Sequence, residues 1–350
     1  MSITKESFGH TPDGHEATLY IIDNGTIRAC VSDYGAHLVS LFAPDRYGQQ
    51  ADIILGFDSA EGYAEDGSNQ GATIAPVANR TGDACAEIGG KTYYMPVNDG
   101  VNNLHSDRDC GGHRVMWDAA ESDNAVTFRT NFADGAFGLP GNRNFAVTYT
   151  VTDDNALMIH YHAVSDQETI LNPTNHSYFN LAGQGSGTIL TQEMQLFCSA
   201  FTPVREGSIP TGEIRPVSGT AMDFREAKPI GRDINKEEEQ LQITGGFDHN
   251  FVIDGYTGDG SMLPVAAAFD RKSGRVMETF TTLPGVQFYV GNYLNGSVGK
   301  GGSKYEKRTG FCLETQFFPD SIHHSGFPSY LFGPGHEYDS TTKYKFGTKA

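Results

Sequence analysis

A chain of 350 residues with 38% apolar and 11% aromatic residues can bury a substantial core, and with only 19% charged residues it does not have the composition of a disordered protein. The formal charge of -18 repels phosphate backbones and anionic membranes, and no block of lysine and arginine reverses it locally. Nucleic acid and membrane surfaces are therefore poor partners, while the length admits one large domain or two.

The N-terminal "MSITKESFGHTPDGHEATLY" has no cationic segment followed by an apolar run, and no later stretch approaches the roughly 20 apolar residues that span a bilayer. Cys30, Cys85, Cys110, Cys198 and Cys312 are widely spaced and odd in number. They read as reduced thiols, and the expectation is a cytoplasmic protein. Asn24, Asn175 and Asn295 lie in glycosylation sequons, which carry little meaning without a secretory signal.

Strand signals begin with "ATLYIID", and "LYIIDNGTIRACV" reads as a hairpin turning at Asn24-Gly25. A short helical turn is expected near Ser59 to Tyr63, and Gly89-Gly90 marks another turn. Further on come "AVTFRTN", "FAVTYTVT" and "ALMIHYHA", each rich in β-branched and aromatic residues. "NKEEEQLQI" at 235 to 243 can form two helical turns, and "NFVID" and "VQFYVG" return to strand. The glycine-rich "GSVGKGGSKY" reads as a flexible loop, lacking the spacing that wraps phosphate. No sustained 3.6-residue apolar stripe, fixed repeat or Pro/Ser-rich linker appears. The pattern predicts an all-β chain, one continuous β-sandwich domain over residues 1-350 with few short helices.

The densest chemistry lies in "NPTNHSYFNLAG", residues 172 to 183. His176, beside Asn175 and Tyr178, has the residue type of a proton donor near neutral pH, or of a histidine that satisfies a backbone group in a turn. Glu314 in "FCLETQFFPDS" is a carboxylate among apolar residues, which needs a cation, a donor or a ligand to face, or else sits at a sheet edge. Strand alternation places Gln316 on the same face. Asp248 and His249 follow two glycines, at a ligand or at a strand-opening turn. "PVANRTGD" offers Asn79 and Arg80, and "GVNNLHSD" offers Asn102, Asn103 and His105, groups suited to a hydroxyl-rich ligand. Cys110 to His113 with His323 and His324 form no metal motif, since adjacent histidines on a strand point to opposite faces. No dinucleotide fingerprint and no G-x-S-x-G elbow is present.

Read together, "NRTGD", "NNLHS", "NPTNHSYFNLAG", "GGFDHNFVID", "SGRVMETFTTLPGVQFYVGNYLNG" and "FCLETQFFPDSIHHSGFPS" occur in an order and spacing that resembles the aldose 1-epimerases, the galactose mutarotases. The resemblance runs from about residue 17 to the C-terminal "YKF". It implies a large β-sandwich, often called a supersandwich, that interconverts the α and β anomers of free aldoses without a cofactor. It also implies His176 as general acid and Glu314 as general base. Asn79, Arg80, His105, Asp248 and Gln287 match positions that bind sugar hydroxyls or support that pair, and Asn175 and Tyr178 are supporting residues. Where the family usually has Gly-Arg ahead of "ANR", this chain has Ala75-Pro76. Where it commonly has Gly-Gly after the histidine of "NNLH", Ser106-Asp107 stand here.

Ring opening of a cyclic hemiacetal needs a base for the anomeric hydroxyl proton and an acid for the ring oxygen, and the implied pair supplies both. The expected working state is carboxylate plus imidazolium, with Asn175 and its neighbours orienting the ring. The expected partner is a small aldose, acting on a monomer or homodimer. Two alternatives stand beside this reading: an epimerase of phosphorylated hexoses, and a non-catalytic sugar-binding or regulatory module.

Overall fold

A computed structural model describes residues 2-349. Alternation dictates its strands: Arg143–Val151 and Ala156–Ser165 bury every second side chain, as a sheet with one face on a core requires. These two strands belong to a nine-stranded sheet. Its spatial order is Asp118–Ser122, Ala125–Phe132, Arg143–Val151, Ala156–Ser165, Tyr338–Thr348, Arg275–Thr281, Leu263–Phe269, Glu193–Leu196 and Lys228–Pro229. The last strand of the chain thus lies mid-sheet, closing the N-terminal meander onto later strands. A five-stranded sheet of Ser2–His10, Glu16–Asp23, Arg28–Ser32, Leu38–Pro44 and Gln50–Asp52 forms a separate meander.

A second five-stranded sheet orders Arg215–Pro216, Ala200–Phe201, Asp248–Val252, Gly285–Tyr289 and Cys312–Gln316. All residues of the last two strands are buried, because the nine-stranded sheet packs against them: Tyr344 Oη donates to the Leu313 carbonyl (3.0 Å) and the Thr315 and Thr342 hydroxyls meet at 2.5 Å. One apolar core, running from Tyr20 through Phe128, Tyr149, Phe251 and Phe288 to Phe346, draws on all three sheets. The chain is a sheet-rich sandwich, as the periodicity predicts.

The expected hairpin forms between Glu16–Asp23 and Arg28–Ser32. Asn24 Oδ1 accepts the N–H groups of Thr26 and Ile27 at 2.8 Å, while Gly25 takes φ 88° at the turn. Among the described residues there are two α-helices, Ala60–Glu65 and Glu239–Thr244. The second starts four residues later than its sequence suggests, because the Glu238 carboxylate accepts the Ala221 N–H and holds that residue extended. No helix among the described residues is long and apolar enough to cross a membrane.

The glycine-rich segment at 296-305 corrects its reading as a flexible loop. Ser297–Val298 pairs with Lys304–Tyr305, and the buried Lys300 ammonium donates to Val39 O (2.6 Å), Ser40 Oγ (3.1 Å) and Asp52 Oδ2 (2.6 Å). Glycine composition signals turns, but a lysine anchored at three points ties this turn to the N-terminal sheet.

Candidate active site

Three adjacent strands index the site. Register pairs Gln287 with Glu314, Asn250 with Gln287 and Asp248 with Tyr289, so Asp248, Gln287 and Glu314 come from neighbouring strands. Gln287 Nε2 donates to Asp248 Oδ1 at 2.7 Å and Gln287 Oε1 accepts from Gln316 Nε2 at 3.1 Å. Gln287 is thus a bracket for Asp248.

His176 arrives from the opposite side. Thr174–Asn175 pairs with Thr73–Ile74, the His176 N–H donates to Ala72 O (2.9 Å), and the His176 carbonyl accepts the Gly71 N–H (3.0 Å). The imidazole is 5.4 Å from His105 and 5.1 Å from Tyr178, centroid to centroid. Its Nε2 lies 3.7 Å from Glu314 Oε1, and its Nδ1 lies 3.6 Å from the Cys312 thiol. Glu314 Oε2 is buried without a hydrogen-bond partner, which marks a carboxyl left for a ligand.

The third side is a pair of strained turns. Asn79 and His105 hold φ of 59° and 57°, left-handed values that side chains with a Cβ rarely adopt. Each donates its N–H to the other: Asn79 N–H to His105 Nδ1 (3.1 Å) and His105 N–H to Asn79 O (3.0 Å). Arg80 Nε donates to Asp99 Oδ2 at 2.8 Å. Ser106 Oγ sits between the N–H and carbonyl of Val77, both at 2.9 Å. Trp117 Nε1 holds Gly112 O, and the Arg114 guanidinium reaches the carbonyls of Tyr63, Ala64 and Asp66. The Ser106-Asp107 departure thus belongs to a tied loop.

These sides enclose a cleft of about 160 Å³, to which Asn79, Arg80, His105, His176, Tyr178, Asp248 and Glu314 all contribute. Gln287 stands behind it. Asn175 corrects an expectation: its amide donates to Gly71 O and its Oδ1 accepts from the Ser177 N–H and hydroxyl, so it holds the turn and not the imidazole. Asn172 and Asn180 likewise bond the backbone of Phe317 and of Gly187 and Thr309. Strand neighbours point to opposite faces, so an asparagine beside the histidine cannot reach its ring.

Tyr289, Tyr293, Leu104, Leu294 and Asp99 escaped the sequence reading. Period two from Gln287 puts Tyr289 on the Gln287 face, a usable signal, whereas Tyr293 and Asp99 sit in loops with none. His249 turns away from the cleft, buried against Phe201 at 5.9 Å. His323 ends a 3₁₀ turn, Ser321–His323, and His324 follows it in extended conformation, so the two do not alternate along a strand. Both reach the buried Asp320, at 2.6 and 3.4 Å.

Burial dominates the electrostatics. It holds the His176 imidazole down at about 4, and pushes the Glu314 carboxyl well above the usual range, reinforced by Asp248 and opposed by Arg80. Burial also raises Asp248, and lowers His105 well below an ordinary imidazole, helped by His176 and Arg80. Burial therefore favours one proton shared by the pair, resting on the carboxyl. His105, His176 and Glu314 each offer a metal-ligand atom within 4.8 Å of the others. The Asn79 N–H on His105 Nδ1, however, puts the proton of a neutral ring on Nε2, which makes that nitrogen a hydrogen-bond donor and not a metal ligand.

Comparison with known proteins adds lineage to this geometry. The aldose 1-epimerase family model matches residues 18–345. The chain is 41% identical to the galactose mutarotase of Bos taurus over 348 residues, covering 99% of each, and 34% identical to the aldose 1-epimerase of Escherichia coli K12 over 339 residues, 96% of each. Among solved structures, an aldose epimerase homologue from C. elegans superposes with a TM-score of 0.86 at 30% identity, over 95% of this chain and 100% of that one. The galactose 1-epimerase of Lactobacillus acidophilus superposes at 0.87 and 25% identity over 100% of both. With a family match across nearly the whole chain and relatives that align end to end, this chain belongs to the aldose 1-epimerase family.

Proposed function

We propose that the protein interconverts the α and β anomers of free aldohexoses, galactose and glucose among them, with Glu314 as base and His176 as acid. The observation that carries this is the 3.7 Å approach of His176 Nε2 to Glu314 Oε1 inside a cleft lined by hydrogen-bonding side chains. Glu314 takes the anomeric hydroxyl proton while the imidazolium protonates the ring oxygen and C1–O5 breaks. The open-chain aldehyde then sits beside a neutral imidazole and a carboxylic acid, which is the state that burial favours. After rotation about C1–C2, the imidazole removes the C5 hydroxyl proton as that oxygen attacks C1, and the acid protonates the aldehyde oxygen on the opposite face. One proton serves the whole cycle and no external reagent is consumed.

In this reading Asn79, Arg80, His105 and Asp248 hold sugar hydroxyls, Gln287 supports Asp248, Tyr178 packs the imidazole and Asn175 braces its turn. A phosphorylated sugar suits the cleft less well, since Arg80 is its single cationic lining residue among those described and is already paired with Asp99. A binding module has no need of a matched acid and base. The chain reads as one domain over 1-350, cytoplasmic, monomeric or dimeric. Polarimetry on freshly dissolved α-D-galactose and α-D-glucose tests the function: faster relaxation to the same final rotation is expected. No acceleration with either sugar, or acceleration confined to phosphorylated hexoses, overturns it.

A further inference from the structure

The strand Cys312–Gln316 presents Cys312, Glu314 and Gln316 on one face, two residues apart. Its carboxylate addresses one nitrogen of the His176 ring at 3.7 Å and its thiol addresses the other at 3.6 Å, so one strand face grips both nitrogens of the proposed acid. The ring also meets its own backbone carbonyl, and its remaining contacts are with aromatic faces and edges: Tyr178 at 5.1 Å, His105 at 5.4 Å and Tyr289 at 6.2 Å, centroid to centroid. Those surfaces restrain the ring plane but do not select which nitrogen faces Glu314.

We infer that Cys312 is a positioning residue for His176, fixing the ring so that Nε2 addresses Glu314 and the substrate; the inference rests on the proposed epimerase reading. A thiol suits this place because it both donates and accepts weakly. It can accept from Nδ1–H when the ring is an imidazolium and continue to do so when Nε2 has given its proton away. A carboxylate at the same place would stabilise the imidazolium and hold back the proton that must reach the ring oxygen. Cys312 is fully buried in a small cluster with Leu55, Tyr178, Tyr289, Leu294 and Tyr305, so solvent cannot take over its contact with the ring.

The test compares the full-length wild type with Cys312→Ala and Cys312→Ser by polarimetry over a range of galactose concentrations, beside thermal melts. Cys312→Ala should lower kcat about tenfold, within the range that removal of one orienting hydrogen bond produces, while KM stays within about threefold. Cys312→Ser, which keeps a group that donates and accepts on a shorter bond, should fall between the two. An alanine variant with wild-type kcat overturns the inference. So does a serine variant no better than alanine while both melt as folded proteins, because that pattern belongs to packing alone. An inactive wild type instead removes the epimerase reading on which the inference stands.

Discussion

The Lys300–Asp52 and His176–Glu314 pairs both lie largely away from solvent, and they are built differently. Lys300 and Asp52 meet at 2.6 Å; the ammonium has two further acceptors, and Asp52 Oδ1 accepts the N–H groups of Leu41 and Ile54. His176 and Glu314 stand 3.7 Å apart, with one carboxylate oxygen unpartnered and a cleft beside it. Satisfaction separates them. A pair in which both carboxylate oxygens and the ammonium are engaged locks one sheet to a distant loop, whereas a pair left short of partners keeps capacity for a ligand.

The largest expected effect separates the pairs by rate. Glu314→Gln and His176→Asn should each lower the polarimetric rate at least about 10²-fold, the lower bound for loss of a positioned proton carrier, with folding retained. Near-normal rates in either variant would take that residue out of the mechanism. The converse variant, Lys300→Met, should destabilise by about 2–4 kcal/mol, because it leaves the half-buried Asp52 carboxylate without its cation. Urea denaturation reads this loss, and the folded fraction should keep its kcat. If Lys300→Met melts like wild type, the claimed lock is not one.

A smaller effect is expected where the two regions touch. Gly71 donates to the His176 carbonyl, accepts from the Leu38 N–H and the Asn175 amide, and holds φ 65°; an added Cβ would lie 2.1 Å from Leu38 O. Gly71→Ala should destabilise by on the order of 1–3 kcal/mol, and kcat should fall with it as the histidine turn shifts. Stability and rate both unchanged would mean that the turn tolerates a side chain.

Much of this was legible in the sequence. Alternation predicts strands at 125–131, 145–152 and 156–163, within two residues of the observed Ala125–Phe132, Arg143–Val151 and Ala156–Ser165, and the segments around His176 and Glu314 single out two side chains that the fold brings to 3.7 Å. What escaped was set by side chains acting at long range. The segment at 296-305 looked loose because the anchors of Lys300 lie some 250 residues earlier in the chain, at Val39, Ser40 and Asp52. Adjacency points Asn175 at the imidazole, whereas strand geometry turns neighbours apart and its amide bonds the turn. Asp99 and Tyr293 sit in loops whose approach to the cleft no local pattern encodes.

The finest distinction between the pairs is in pH. Because burial lowers His176 to about 4 and raises Glu314, the pair holds a single proton from near pH 4 up to the elevated carboxyl value. The acid limb of kcat/KM marks a second proton reaching the imidazole, which leaves no base; the alkaline limb marks loss of the last proton, which leaves no acid. Asp248 is the largest charge contribution raising Glu314, after burial itself. Asp248→Asn removes that negative charge, favours the carboxylate and should move the alkaline limb to lower pH, whatever it also costs in sugar binding. The acid limb should stay in place, since neither cause of the His176 shift, burial and its own backbone carbonyl, involves Asp248. An alkaline limb that moves upward, or both limbs moving together, would mean that the proton of the working pair is not controlled from the Asp248 side of the cleft.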